Sequence, residues 1–81
     1  MRVIDVPVDK IYVPAAKRKG LDEDKVTALA EDILENGLQR PIYVRLGKDR
    51  YVLQEGLHRL EAMKLLGSDL IEGHLIQAKK A

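Results

Sequence analysis

The sequence contains no cysteine, and that one absence removes disulfide bonds, thiolate metal sites and cysteine nucleophiles together. It also lacks any apolar run approaching the ~20 residues that a bilayer-spanning helix requires, so no membrane association is expected. The N-terminus alternates charged and aliphatic residues instead of presenting the apolar stretch of a secretory signal, and a cytoplasmic location is expected. A surplus of either charge is missing as well. With 14 basic and 13 acidic side chains the formal net charge is +1, so whole-molecule electrostatics does not drive the chain onto nucleic acid, and any such binding must come from a local patch. What is present is a chain of 81 residues, 46% hydrophobic and 33% charged, with room for one compact core; residues 1–81 are expected to form a single domain.

Between Val3 and Val8 apolar residues alternate, with Ile4, Val6 and Val8 on one side, which suits a half-buried strand that Pro7 restricts to an edge or an end. The stretch from Tyr12 to Gly20 has neither helical nor strand period and is expected to be a loop carrying the basic run Lys17-Arg18-Lys19. Asp22 then caps a helix with Glu23 and Asp24 in its first turn, where carboxylates meet the positive end of the helix dipole. Val26, Leu29, Ile33 and Leu34 are expected on its buried face, and Asn36-Gly37 ends it. After Gln39-Arg40-Pro41, the run Ile42 to Leu46 alternates, placing Ile42, Val44 and Leu46 inward. Gly47 to Arg50 is expected as a hairpin loop, with Tyr51 to Gln54 returning antiparallel. Gly56 permits a sharp reversal into a second helix, in which Leu60, Met63 and Leu66 keep helical spacing until Gly67. A last strand is expected from about Leu70 to Gln77. The order strand, helix, strand, strand, helix, strand makes a small α+β domain with a mixed sheet of about four strands and two or three helices.

Gly56-Leu57-His58-Arg59 carries the strongest chemical signal. A helix start presents unpaired backbone N–H groups and about half a positive charge, so a strand-glycine-helix junction can hold an anion such as a nucleotide phosphate. Arg59 offers a planar fork of donors, and His58 adds a donor that becomes a cation beside a bound anion. Basic residues are unfavourable in a first helical turn without an anion. The alternative is that Arg59 pairs with Glu55 or Asp69 and His58 is a plain surface residue; the residues alone leave both readings open.

The run Leu53-Gln54-Glu55-Gly56-Leu57-His58-Arg59-Leu60-Glu61-Ala62 resembles the signature shared by the ParB N-terminal domain and sulfiredoxin, a superfamily that places nucleotide phosphates on the helix after this glycine. Val6-Pro7-Val8 followed by Ile11, then Asn36-Gly37-Leu38, Pro41-Ile42 and Leu75-Ile76-Gln77 resemble their counterparts in the same order, so that the resemblance covers roughly residues 3 to 77. Sulfiredoxins carry a cysteine directly after the glycine, as the thiolate that repairs a cysteine sulfinic acid at the expense of ATP. That position is Leu57 here, which excludes sulfiredoxin chemistry by its known route. The ParB pattern has a glutamate and two arginines after the glycine, of which only Arg59 matches, and the chain ends where ParB proteins continue into a helix-turn-helix region.

The resemblance implies that Gly56, Leu57, His58 and Arg59 bind the phosphates of ATP or CTP, with magnesium carried in by the nucleotide. In the superfamily the loop before the first long helix contributes a basic residue, and Arg18 is the nearest match, with Lys17 beside it. Polar groups from the turn before the second strand often join in, which makes Gln39 and Arg40 further candidates. Read as plain chemistry, Lys17-Arg18-Lys19 is equally a solvated loop, and Gln39-Arg40-Pro41 reads first as a simple turn and only second as a ligand site. No catalytic residue is assigned; Glu55 is the weak candidate, as the one carboxylate fixed at the motif, and a kinase branch of the superfamily makes phosphoryl transfer conceivable. Enzyme activity is the less favoured expectation. His74 is read as structural or surface, and no histidine–carboxylate spacing suggests a protein-held metal. The first functional reading is therefore a nucleotide-binding, regulatory module. A second is a DNA-binding domain acting in partition or transcription, using Lys17, Arg18, Lys19, Arg45, Lys48 and Arg50. A third is a protein-interaction domain without ligand, working through a protein partner or as a homodimer.

Overall fold

The computed structural model describes residues 2–38 and 40–76; Gln39 and the end of the expected last strand at Gln77 lie outside the described residues. The chain runs through β1 (Arg2–Pro7), a single 3₁₀ turn (Val8–Lys10), β2 (Ile11–Tyr12), α1 (Ala15–Arg18), α2 (Glu23–Asn36), β3 (Ile42–Gly47), β4 (Arg50–Glu55), α3 (Leu57–Leu65) and β5 (Leu70–Ile76). The strands form one mixed sheet in the order β1-β5-β3-β4-β2. β1 pairs antiparallel with β5, β5 parallel with β3, β3 antiparallel with β4, and β4 parallel with β2. This is the expected α+β architecture with one strand more than anticipated.

The sheet is rolled. A flat five-stranded sheet would set its outer strands ~19 Å apart at ~4.8 Å per step. The four Cα steps from Pro7, in one outer strand, to Ile11, in the other, reach at most ~14 Å. Pro7 and Lys10 accordingly share a cleft with Leu46, Gly47 and Tyr51 of the β3–β4 hairpin. Inside the roll, Val6, Ile42, Val44, Leu53 and Ile71 meet Val8 and Val13 from the connecting segments and Leu60 from α3. A second cluster joins Val26, Ala30 and Ile33 of α2 to Ala62 of α3. Helix α3 is thus the middle layer, with the sheet on one side and α2 on the other, and Leu38 and Met63 touch both clusters.

Several expectations need correction. The segment from Tyr12 to Gly20 is not a bare loop: Ile11 and Tyr12 add a strand beside β4, and Pro14 starts a one-turn helix by accepting from the N–H groups of Lys17 and Arg18. Leu34 is 75% exposed, because α2 packs on another helix through the narrow stripe Val26, Ala30 and Ile33, and no described residue covers the wider face. Leu46 is 63% exposed although it shares the inward side with Val44, since the strand runs on beyond the edge of the core. The hairpin loop is shorter than expected: Gly47 and Arg50 pair in the ladder, and Lys48-Asp49 alone make the turn, with Asp49 at φ 59°.

Candidate functional site

The junction between β4 and α3 is built around Gly56. Its φ of 110° is left-handed, and a Cβ placed there would stand 2.6 Å from Ile42 Cγ2, so both torsion and space demand glycine. The first helical bond of α3 runs from Leu60 N–H to Gly56 O, at 2.9 Å. The N–H groups of Leu57, His58 and Arg59 stand ahead of it and have no intrahelical acceptor. The Leu57 side chain turns inward against the first core cluster, leaving its N–H as the one group that residue offers to an anion.

Arg59 is held on both sides. Its Nη1 donates to Pro41 O at 2.7 Å, and its Nη2 lies 3.8 Å from Glu55 Oε2. The arginine side chain is 17% exposed and the glutamate 71%, so the ion pair is a loose surface contact while the carbonyl bond is the firm one. The pairing with Glu55 that the sequence left open is therefore present, and it occupies only part of the five-donor guanidinium. Through Pro41, Arg59 fixes the turn that carries Arg40, which is exposed.

His58 is tied to the other flank. Its Nε2 accepts from the Asp22 N–H at 3.0 Å, which requires a neutral ring with its proton on Nδ1. Asp22 also caps α2, its Oδ1 accepting from the N–H groups of Asp24 and Lys25 at 3.0 and 3.4 Å. Upstream, Gly20 N–H donates to Lys17 O and Leu21 N–H to Arg18 O, so a continuous series of short bonds runs from α1 to His58. Lys17, Arg18 and Lys19 are all exposed. The sequence candidates Gly56, His58, Arg59, Arg40, Lys17 and Arg18 thus gather around one end of the sheet. Lys48 and Arg50 do not join them: Arg50 lies over the Tyr12 ring at 3.9 Å and Lys48 sits in the hairpin turn, the full length of β4 away, about 17 Å for its five steps, while Arg45 lies midway along β3. His74 stacks on Tyr43 with ring centroids 4.8 Å apart, and its buried Nδ1 has no hydrogen-bond partner among the described residues.

Three residues that the sequence did not mark, Lys25, Ala28 and Asp32, line an open cleft of about 460 Å³ with His58 and with Leu29, which was expected only as a core residue. Their i, i+3, i+4, i+7 spacing marks one face of α2, but only the tertiary contact with His58 reveals what that face adjoins. Among the described residues no three His, Asp or Glu are grouped to hold a metal, and no helix is long and apolar enough to cross a membrane.

The model of the ParB N-terminal domain matches residues 1–80. A probable chromosome-partitioning protein ParB of Helicobacter pylori is 32% identical over 80 residues, covering 98% of this chain and 28% of that protein. The chloroplastic/mitochondrial sulfiredoxin of Arabidopsis thaliana is 35% identical over 65 residues, or 80% of this chain and 52% of that one. Its crystal structure superposes with a TM-score of 0.85 at 31% identity over 96% of this chain and 88% of the sulfiredoxin chain. C-terminally truncated ParB from Caulobacter crescentus, complexed with CTP-gamma-S, has the same fold, with a TM-score of 0.82 at 20% identity over 99% of this chain and 47% of that chain. The chain spans about a quarter and about half the length of the two curated relatives.

Proposed function

Because the chain belongs to the ParB N-terminal domain family, we propose that it is a nucleotide-binding module whose phosphate site is the start of α3. The observation that carries this reading is the N–H set of Leu57, His58 and Arg59 ahead of the first helical bond, without an acceptor among the described residues, opened by a left-handed Gly56 and flanked by cations tied to the same helix through Asp22 and Pro41. Three outward N–H groups at the positive end of a helix form an anion seat, and the guanidinium of Arg59 adds donors in the plane that a phosphate prefers. Arg18 and Lys17 meet the outer phosphates from the last turn of α1, and Arg40 reaches them from the turn before β3. The nucleoside lies along α2 in the cleft of Lys25, Ala28, Leu29 and Asp32, which runs about 10 Å, seven residues at the helical rise, away from the phosphate seat. The Caulobacter ParB bound to CTP-gamma-S shares this fold and supports a nucleotide as the ligand class. Magnesium enters with the phosphates.

Binding, not turnover, is the proposed activity. Glu55 is the carboxylate nearest the motif, and its side chain is largely solvated, oriented among the described residues by the loose contact to Arg59. A water or hydroxyl activated there would lack the fixed geometry that general-base catalysis needs.

The test is amide-resolved titration of the labelled protein with ATP, CTP and a duplex oligonucleotide, with and without magnesium. Shifts at Gly56 to Arg59 and along Lys25 to Asp32 are expected with at least one nucleotide, and they should weaken in an Arg18→Ala variant. Shifts confined to Lys17–Lys19 and Arg45–Arg50, seen only with DNA and falling steeply with salt, would replace this reading with nucleic-acid binding.

A further inference from the structure

We infer that His58 is a positioning residue, whose neutral imidazole latches the basic end of α1 and the turn after it over the start of α3. The observation is the 3.0 Å bond from the Asp22 N–H to His58 Nε2, spanning 36 residues of sequence. It is the last link of a series. Lys17 and Arg18 donate to Pro14 O, Gly20 donates to Lys17 O, Leu21 donates to Arg18 O, and Asp22 donates to His58. Each of these ties a residue only to its near neighbours in sequence, except the one to His58, which attaches the whole basic turn to another element.

A histidine that touched the phosphate through Nε2 would have to present an N–H there. Here Nε2 is an acceptor, so the ring proton is on Nδ1, and a ring protonated on both nitrogens cannot hold Asp22. The latch is therefore a property of one tautomer. Asp22 answers to two helices at once, since its N–H serves His58 of α3 while its carboxylate caps α2. The groups around the ring include Lys25 and Asp32 from α2 and, through its cap, Asp22; Glu55 and Arg59 flank it along its own chain. Losing the Nε2 lone pair separates Lys17 and Arg18 from the α3 start without removing either cation. The step from positioning the turn to nucleotide affinity rests on the phosphate-site reading above; the latch itself does not.

Two measurements on ligand-free protein test the latch directly. Imidazole ¹⁵N shifts should show the Nδ1–H tautomer, and the Asp22 amide should be protected from exchange. His58→Ala should speed exchange of the Asp22 amide by about ten-fold or more, and His58→Gln, whose side-chain oxygen can accept at the Nε2 position, should restore protection. An Nε2–H tautomer, or an Asp22 amide equally protected in His58→Ala, overturns the inference. If nucleotide binds, a double-mutant cycle between His58→Ala and Arg18→Ala adds a readout that a direct phosphate ligand would not give. The latch predicts non-additivity, with His58→Ala costing clearly less once Arg18 is gone and little once Lys17 is gone as well, whereas additive losses mean that His58 acts on the phosphate itself. If no nucleotide binds, the functional reading fails while the tautomer and exchange results still decide the latch.

Discussion

Arg59 and Gly56 stand three residues apart and constrain the same corner by different means. The arginine pins Pro41 through a charge-assisted bond to a carbonyl, and the glycine lets the backbone pass over Ile42 at a distance that no side chain tolerates. Gly67, which follows α3, offers an internal control: its φ of 76° is also left-handed, but a Cβ there meets nothing within 4 Å. Gly67→Ala should therefore cost only the torsional strain, about 1 kcal/mol. Gly56→Ala adds the contact with Ile42 and should cost more than about 2 kcal/mol in urea unfolding. Equal losses at the two positions would show that space at Gly56 is not limiting. Glycine at the helix start and the adjacent His58 and Arg59 were legible in the sequence, because a strand followed by glycine and a helix has a local signature. The Glu55 partner of Arg59, one helical turn away, was also within reach of the sequence, but the distant partners were not, since Pro41 lies 18 residues from Arg59 and Asp22 lies 36 from His58, and no periodicity encodes such contacts.

At the scale of elements, the long periodic segments were readable and the short ones were not. Fourteen residues of α2 carry a cap, an apolar stripe and a glycine stop; two residues of β2 and four of α1 are too few to display a period. Pattern also overreached at its margins. Leu34 satisfies the helical spacing yet is exposed, because the neighbour of α2 is a helix that meets it mainly through the small Ala62, not a sheet broad enough to cover a wide face. Adjacent residues thus make a sharp comparison. Ile33→Ala should cost about 2–4 kcal/mol. Leu34→Ala should stay within about 0.5 kcal/mol. A substantial loss at Leu34 in thermal or urea unfolding would mean that this face is covered in solution.

For the molecule as a whole, the two apolar clusters matter less separately than through the residues they share. Leu38 and Met63 contact both, so α2 cannot leave without disturbing the packing of α3 on the sheet. We expect one cooperative urea transition, with far-ultraviolet circular dichroism and tyrosine fluorescence tracing coincident curves. Combining Leu38→Ala with Met63→Ala should uncouple the layers and lower the apparent m-value. Two resolved transitions in the unmodified protein would instead show that the layers are separate folding units.

The three-residue link from β1 to β2 has a bearing on how the domain meets copies of itself. An exposed strand edge is an open row of donors and acceptors that invites another chain to pair with it. Here β1 ends in Pro7, which has no N–H to offer, and β2 is two residues long, too short to template a partner strand. Drawing these two margins toward one another turns the ends of the sheet into neighbours. At these two places the course of the backbone itself leaves a second copy little to pair with.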